Sequence, residues 1–397
     1  MAIYGRILRV PGVALLIAAT TLTRIPFAIN ALAVILFLRE TTGSFATAGL
    51  AAGALALGAG IGAPVAARVI DRHSAAMLLP LAVIHGAAIL LLLGLGEAGA
   101  PGAALVASAL VAGVAFPPSG SVLRSRWPEL MGGDPELTRG AYAFDSVTIE
   151  ISFVTGPLIT AALVALSGPQ AALLLSPVLV VAGTALFVWR LPGARRRTPA
   201  HEASRGFGPL RAPAIRLIAL TTVPAGFCLG AVEVSLPAFS SEMGDAALAG
   251  VLLALWSAAS GVGGLWFGAR GAGRDLLDTH LLIGLLFPLA CLPLIVASSP
   301  LVMGLLVLLA GAPIAPMIAT RNELVSMVAP AGTATEAFTW LMTSLVAGLS
   351  LGTAVSGVVI EAFGWAEAVA LGVAIAVAGA VAAFIHRGIL RPAPAPA

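Results

Sequence analysis

The chain has 397 residues, of which 59% are hydrophobic and 10% charged, against roughly 25% charged in an ordinary soluble domain. Such a chain cannot hide its apolar surface in water, which excludes a soluble globular protein. Its formal net charge of +3 comes from arginines that flank apolar runs without interleaved aromatic residues, which argues against a nucleic-acid partner.

A bilayer core needs about 20 apolar residues per helix, and runs of that length fill the sequence. In residues 10–38 the only charge is Arg24, and residues 41–67, 74–96 and 98–123 carry none. These predict four helices. Residues 151–189 are uncharged but too long for one span, and Ser167, Gly168, Pro169 and Gln170 break them where a turn belongs. Six helices result. The longest polar stretch, 192–213, holds Arg195, Arg196, Arg197, His201, Glu202 and Arg205 and reads as a linker. Residues 217–239 contain Glu233, 246–269 are clean, and 281–320 break at Ser298, Ser299 and Pro300. Residues 337–360 and 368–385 bring the count to twelve. The fold class is therefore all-α integral membrane, and the short alternating segments of a barrel are absent from the sequence.

Lysine is absent, so orientation follows from the 21 arginines. With the amino terminus inside, all but Arg24 and Arg39 fall in or beside cytoplasmic segments, as the positive-inside rule requires. This predicts cytoplasmic termini in a multi-pass protein of a bacterial inner membrane. The first apolar run is too long for a signal peptide. Cys228 and Cys291 fall mid-span, which disfavours a structural disulfide, and neither a metal nor a cofactor is expected.

Residue pairs about 198 apart suggest duplication. Leu22, Thr23 and Pro26 match Leu220, Thr221 and Pro224, while Gly113 and Pro118 match Gly311 and Pro316. Gly60, Gly62 and Ala67 match Gly261, Gly263 and Gly268 at an offset of 201. The expected organisation is a six-helix half over residues 1–191, a cytoplasmic linker over 192–212 and a second half over 213–397. Parallel duplication of this kind places the site between the halves at mid-membrane.

These features resemble the major facilitator superfamily over nearly the whole chain. Asp71 and Arg72, between helices two and three, match the family's loop motif, whereas Ala67, Val69 and Ser74 depart from it. Gly156-Pro157 in helix five resembles the pair found in family exporters, and the segments 141–145 and 336–340 resemble actinobacterial-type efflux permeases. The resemblance implies alternating access, a central cavity lined by helices one, four, seven and ten, and a gate latch at Asp71 and Arg72.

An ionisable side chain at mid-span costs several kcal/mol or more and usually faces protein or a wet cavity. Arg24, deep in helix one, is the sharpest candidate for substrate or coupling contact, with a structural ion pair as the alternative. Glu150 is the expected carboxylate partner, Asp145 is expected as a helix-start charge with a coupling role as the alternative, and Glu233 is a candidate proton carrier. His85 reads as a packed histidine. Arg321 and Glu323 are expected to pair locally, and Pro26, Pro118, Pro224, Pro313 and Pro316 are expected to bend the cavity helices.

The expected function is secondary active transport by alternating access, as proton-coupled efflux of a small amphipathic or hydrophobic compound, by a monomer. Uptake of a sugar or other metabolite is one rival, and a membrane sensor or scaffold without flux is another. The sequence shows neither an enzyme's metal-ligand or nucleophile arrangement nor a phosphate-binding glycine loop.

Overall fold

The computed structural model describes residues 2–194, 209–270, 275–330 and 334–390. A short helix α1 (Ala2–Arg9) precedes α2 (Val13–Thr42), α3 (Phe45–Arg72) and α4 (Leu78–Glu97). The fourth span is broken into α5 (Gly102–Val114) and α6 (Ser119–Leu130); α7 (Pro135–Ser167) and α8 (Pro169–Arg190) follow. After residues 195–208, which lie outside the described part, come α9 (Pro213–Glu242), α10 (Leu248–Arg270) and α11 (Leu276–Cys291). The tenth span is again broken, into α12 (Pro300–Gly311) and α13 (Ile314–Val328), before α14 (Ala334–Ala362), α15 (Trp365–Ile385) and the short α16 (Arg387–Leu390). Among the described residues, twelve stretches are long and apolar enough to cross a membrane, as the uncharged runs predict.

Helices outrun the uncharged runs. The 30 residues of α2 take in Arg39 and Glu40, and the 30 of α9 take in Arg216 and Glu242. At 1.5 Å per residue such a helix is about 45 Å long, the thickness of a bilayer with its headgroups, so the end charges reach polar surroundings. Turn chemistry then sets the breaks. Gly168 adopts φ 86° between α7 and α8, a backbone region open to glycine without strain. Ser299 accepts from the Val302 amide ahead of Pro300 and starts α12.

The prolines divide into two groups. Pro26 and Pro224 sit inside continuous helices, whereas Pro118 and Pro313 stand at the starts of α6 and α13, where spans four and ten are broken. Pro316 falls in the first turn of α13, where a missing amide costs no helical bond. The duplication is visible in how the breaks pack. Gly62 lies against Val114 and Gly113 against Leu55 and Ala59; in the second half Gly263 lies against Ala312 and Gly311 against Trp256 and Ala259. A Cβ at any of these four positions would run into the facing helix. The equivalent positions Gly62 and Gly263, and Gly113 and Gly311, are 201 and 198 residues apart, the offsets read from the sequence.

Buried apolar residues fall into clusters that reveal how the halves meet. The largest joins both halves, with Ile29–Leu38 residues of α2 beside Val232, Leu236 and Phe239 of α9. A second, with Val13, Leu16, Ile70 and Trp127, belongs to the first half alone, and a third, with Ile215, Leu277, Leu324 and Leu341, to the second half alone. The shared cluster occupies the end of the bundle opposite the termini; the separate ones occupy the termini end. Close approaches between the halves follow the same gradient. Gly49 meets Thr353 and Gly357, Gly53 meets Ser350 and Ala354, Gly60 meets Val346 at mid-span, and Gly250 meets Pro157 and Ala161. At the extreme of the joined end, Ser44 donates to Glu361 at 2.6 Å and the Ala46 amide donates to the same carboxylate oxygen at 2.9 Å. A carboxylate from α14 thus complements the amino-terminal dipole of α3 across the two halves.

Candidate functional site

The ionic centre is built from three helices of the first half. Arg24, on α2, reaches Asp145 on α7 with Nη1 at 2.7 Å from Oδ1. Arg124, on α6, holds the other oxygen, with Nε at 2.6 Å from Oδ2. Asp145 is 2% exposed, Arg24 14% and Arg124 44%, so the carboxylate is enclosed while one of its cations still meets open space.

Hydroxyls set the orientation of these groups. Thr148 donates to the Asp145 carbonyl at 2.7 Å, so its lone pairs face Arg24, which donates to it at 2.8 Å. Thr23 donates to the Thr20 carbonyl, and the Ser119 hydroxyl therefore donates to Thr23, tying α2 to α6 beside the ion pair. Gly120 makes the guanidinium possible. A Cβ there would collide with the Arg24 guanidinium, so a larger residue at 120 requires the arginine to shift.

An aromatic and histidine layer lies farther along α2. Phe27 packs edge-on against Phe116 at 5.3 Å and Phe153 at 6.4 Å between ring centroids. His85 is buried; its Nδ1 lies 2.7 Å from the Ala112 carbonyl and must carry the hydrogen, leaving Nε2 to accept from Asn30 at 3.2 Å. A histidine with both nitrogens bonded in the packed interior matches the expectation of a packed residue.

The structure pairs Arg24 with Asp145. Asp145, expected at a helix start, is the eleventh residue of α7 and the shared partner of two arginines. The side chain of Glu150 lies outside the described residues, as do those of Asp71 and Arg72 at the end of α3. Gly156 lies against Ala28 and Ile29 of α2, and Pro157 against Gly250 of the other half, so the pair sits where α7 meets both. Glu233 is half-buried on α9, among residues of the shared apolar cluster, with no hydrogen bond or ion pair to any described residue. The expected local pair of Arg321 with Glu323 does not form through Nε or Nη2 of Arg321, both of which lack a partner. Arg124 escaped notice because it reads as one more arginine at a span end.

A family model described as the Major Facilitator Superfamily matches residues 16–274, well over half of the chain. The chain belongs to the major facilitator superfamily. Membership makes this multi-pass membrane protein a transporter rather than an enzyme, with a small-molecule substrate. Solved structures of low identity share its fold. The nucleoside transporter NupG superposes with a TM-score of 0.70 at 14% identity, covering 95% of this chain and 100% of its own. A bacterial homologue of the iron transporter ferroportin, in an inward-facing state, gives 0.71 at 17% over 94% and 97%. The POT family transporter PepTSo gives 0.68 at 12% over 96% and 98%. A search of curated proteins by sequence gave no match.

Proposed function

We propose that this superfamily member is a secondary active transporter that exports a small amphipathic or hydrophobic compound in exchange for protons. The observation that carries the reading is the Arg24–Asp145–Arg124 cluster, placed where the core shared by the halves gives way to two separate cores. A carboxylate that binds α2 through one oxygen and α6 through the other is a two-position element. A cationic group arriving from the open end competes with the arginines for Asp145, so its binding and the Arg24–Asp145 pair exclude each other. A ligand shifts the two states only by binding them differently, and this cluster supplies that difference.

The arginine distribution puts the termini in the cytoplasm, so the open end faces the cytoplasm and loads substrate from there. Asp71 and Arg72, next to that end, remain the proposed latch, and Gly156-Pro157 the proposed pivot against α2 and α10. Glu233, near the joined end, is the proposed proton carrier, because no counter-charge among the described residues holds it in one state. The exporter-like Gly156-Pro157 pair supports the outward direction.

Purified protein in proteoliposomes, given a panel of lipophilic cations and metabolites, tests the reading through internal pH. The expected result is proton movement that depends on one compound in the wild type. In Glu233→Gln the same compound still runs down its own gradient, but coupled proton movement falls by roughly tenfold or more, since the amide cannot carry a proton. Unchanged coupling in Glu233→Gln rejects the assignment. Compound flux without proton movement in the wild type means a uniporter or a carrier for another ion; no flux with any compound favours a sensor or scaffold.

A further inference from the structure

A second arginine stands apart from the ionic centre. Arg321, on α13, is 3% exposed, and its Nε and Nη2 have no hydrogen-bond partner. It lines a small, partly open cleft of about 40 Å³ that lies wholly within the second half, between α9, α11, α13 and α15. Burying a guanidinium is costly unless something pairs with it, yet the described residues bring it no carboxylate. Nε and Nη2 are the two nitrogens of one edge of the fork, and their parallel N–H bonds match two oxygens of a single carboxylate or phosphate.

The rest of the lining does not pair with it either. Thr221, Thr222 and His280 carry atoms able to accept, their hydroxyl oxygens and a ring nitrogen, but none makes a hydrogen bond to Nε or Nη2. Gly284 has nothing within 4 Å of where a Cβ would stand, which leaves room beside the cation.

We propose that this cleft binds an oxyanion, a carboxylate or phosphate group that takes the Nε–Nη2 edge of Arg321 as the outer side-chain torsions turn that edge into the cleft. The group belongs either to a small free anion or to the headgroup of an anionic lipid. The site is separate from the Arg24 cluster, which lies in the other half, and does not depend on the transported compound.

Thermal unfolding of the full-length protein in nanodiscs tests this. In one arm, phosphatidylcholine discs are titrated with sodium phosphate at constant pH and ionic strength; in the other, phosphatidylglycerol replaces part of the lipid. A ligand that binds only the folded state raises the melting temperature by mass action, here by at least about 3 °C at saturation. A rise with phosphate identifies a free anion, and a rise with phosphatidylglycerol alone identifies a headgroup. Arg321→Gln removes the fork, and Gly284→Leu fills the cleft while leaving the arginine; both are expected to lose the rise. No rise in either arm for the wild type overturns the proposal, as does a rise retained by either variant. If Arg321→Gln does not fold, Gly284→Leu decides.

Discussion

Replacing Asp145 with alanine is expected to destabilise the protein by about 3–5 kcal/mol, the range seen when one partner of a buried ion pair is removed, and to abolish transport. The magnitude comes from what remains. Without the carboxylate, Arg24 keeps, among the described residues, the Thr148 hydroxyl as an acceptor, and the two guanidiniums that Asp145 held apart repel each other. Most of the loss belongs to Arg24, which is 14% exposed; the bond to Arg124, a side chain 44% exposed, contributes about 0–1 kcal/mol, as for surface pairs. Arg24→Ala should cost less than Asp145→Ala, because Arg124 still satisfies the aspartate. The double variant Arg24→Gln/Asp145→Asn should recover much of the stability, though none of the transport. Unfolding in neutral detergent, beside flux in proteoliposomes, reads both quantities. A loss below about 1 kcal/mol for Asp145→Ala would place the pair among ordinary surface bridges and remove its role in the cycle.

Linking the two halves at their joined end is expected to stop transport. Ser44 and Glu361 face each other across the halves, hydroxyl to carboxylate, at 2.6 Å. Their hydrogen bond is exposed and contributes little energy, but alternating access requires this contact to part in every cycle. Ser44→Cys/Glu361→Cys, treated with a short bifunctional maleimide, should lose flux by roughly tenfold or more, because only one of the two states remains reachable. Cys228 and Cys291 are buried, out of the reagent's reach. Each single cysteine variant, treated alike, should retain flux. Full flux in a quantitatively linked double variant would mean that the halves do not separate here.

The span count and the turns were legible because they depend on local chemistry. The Gly168-Pro169 break and the Ser299-Pro300 start occur where the sequence shows them. The repeat was legible through glycines, since Gly62, Gly113, Gly263 and Gly311 occupy places where the backbones of facing helices nearly touch, and nothing larger fits. Arg24 stood out as the only charge in its run. Its partner was not legible, because partner choice depends on how α2, α6 and α7 rotate against one another. The structure sets Asp145 and Thr148 on one face of α7, where both meet Arg24. The positive-inside rule also concealed two arginines. Arg124 and Arg321 were counted as topological charge, yet one completes the ionic centre and the other is buried without an acceptor for two of its nitrogens.

The central claim, that two halves exchange a joined end for an open one, is most directly tested by paired spin-label distances that need no knowledge of the substrate. One pair, Thr42→Cys/Phe363→Cys, reports the joined end, where both residues are exposed; the other, Ser125→Cys/Met327→Cys, reports the open end at exposed positions on spans four and ten. Each is measured with and without Gly49→Leu, whose Cβ would stand 2.6 Å from the Thr353 carbonyl oxygen and 3.0 Å from the Gly357 Cα and so pries the joined end apart. The account predicts that the distances trade places, the first pair lengthening as the second shortens. Lengthening at 42–363 with an unchanged 125–327 distance would show a local disruption, and would contradict two halves that rock as units.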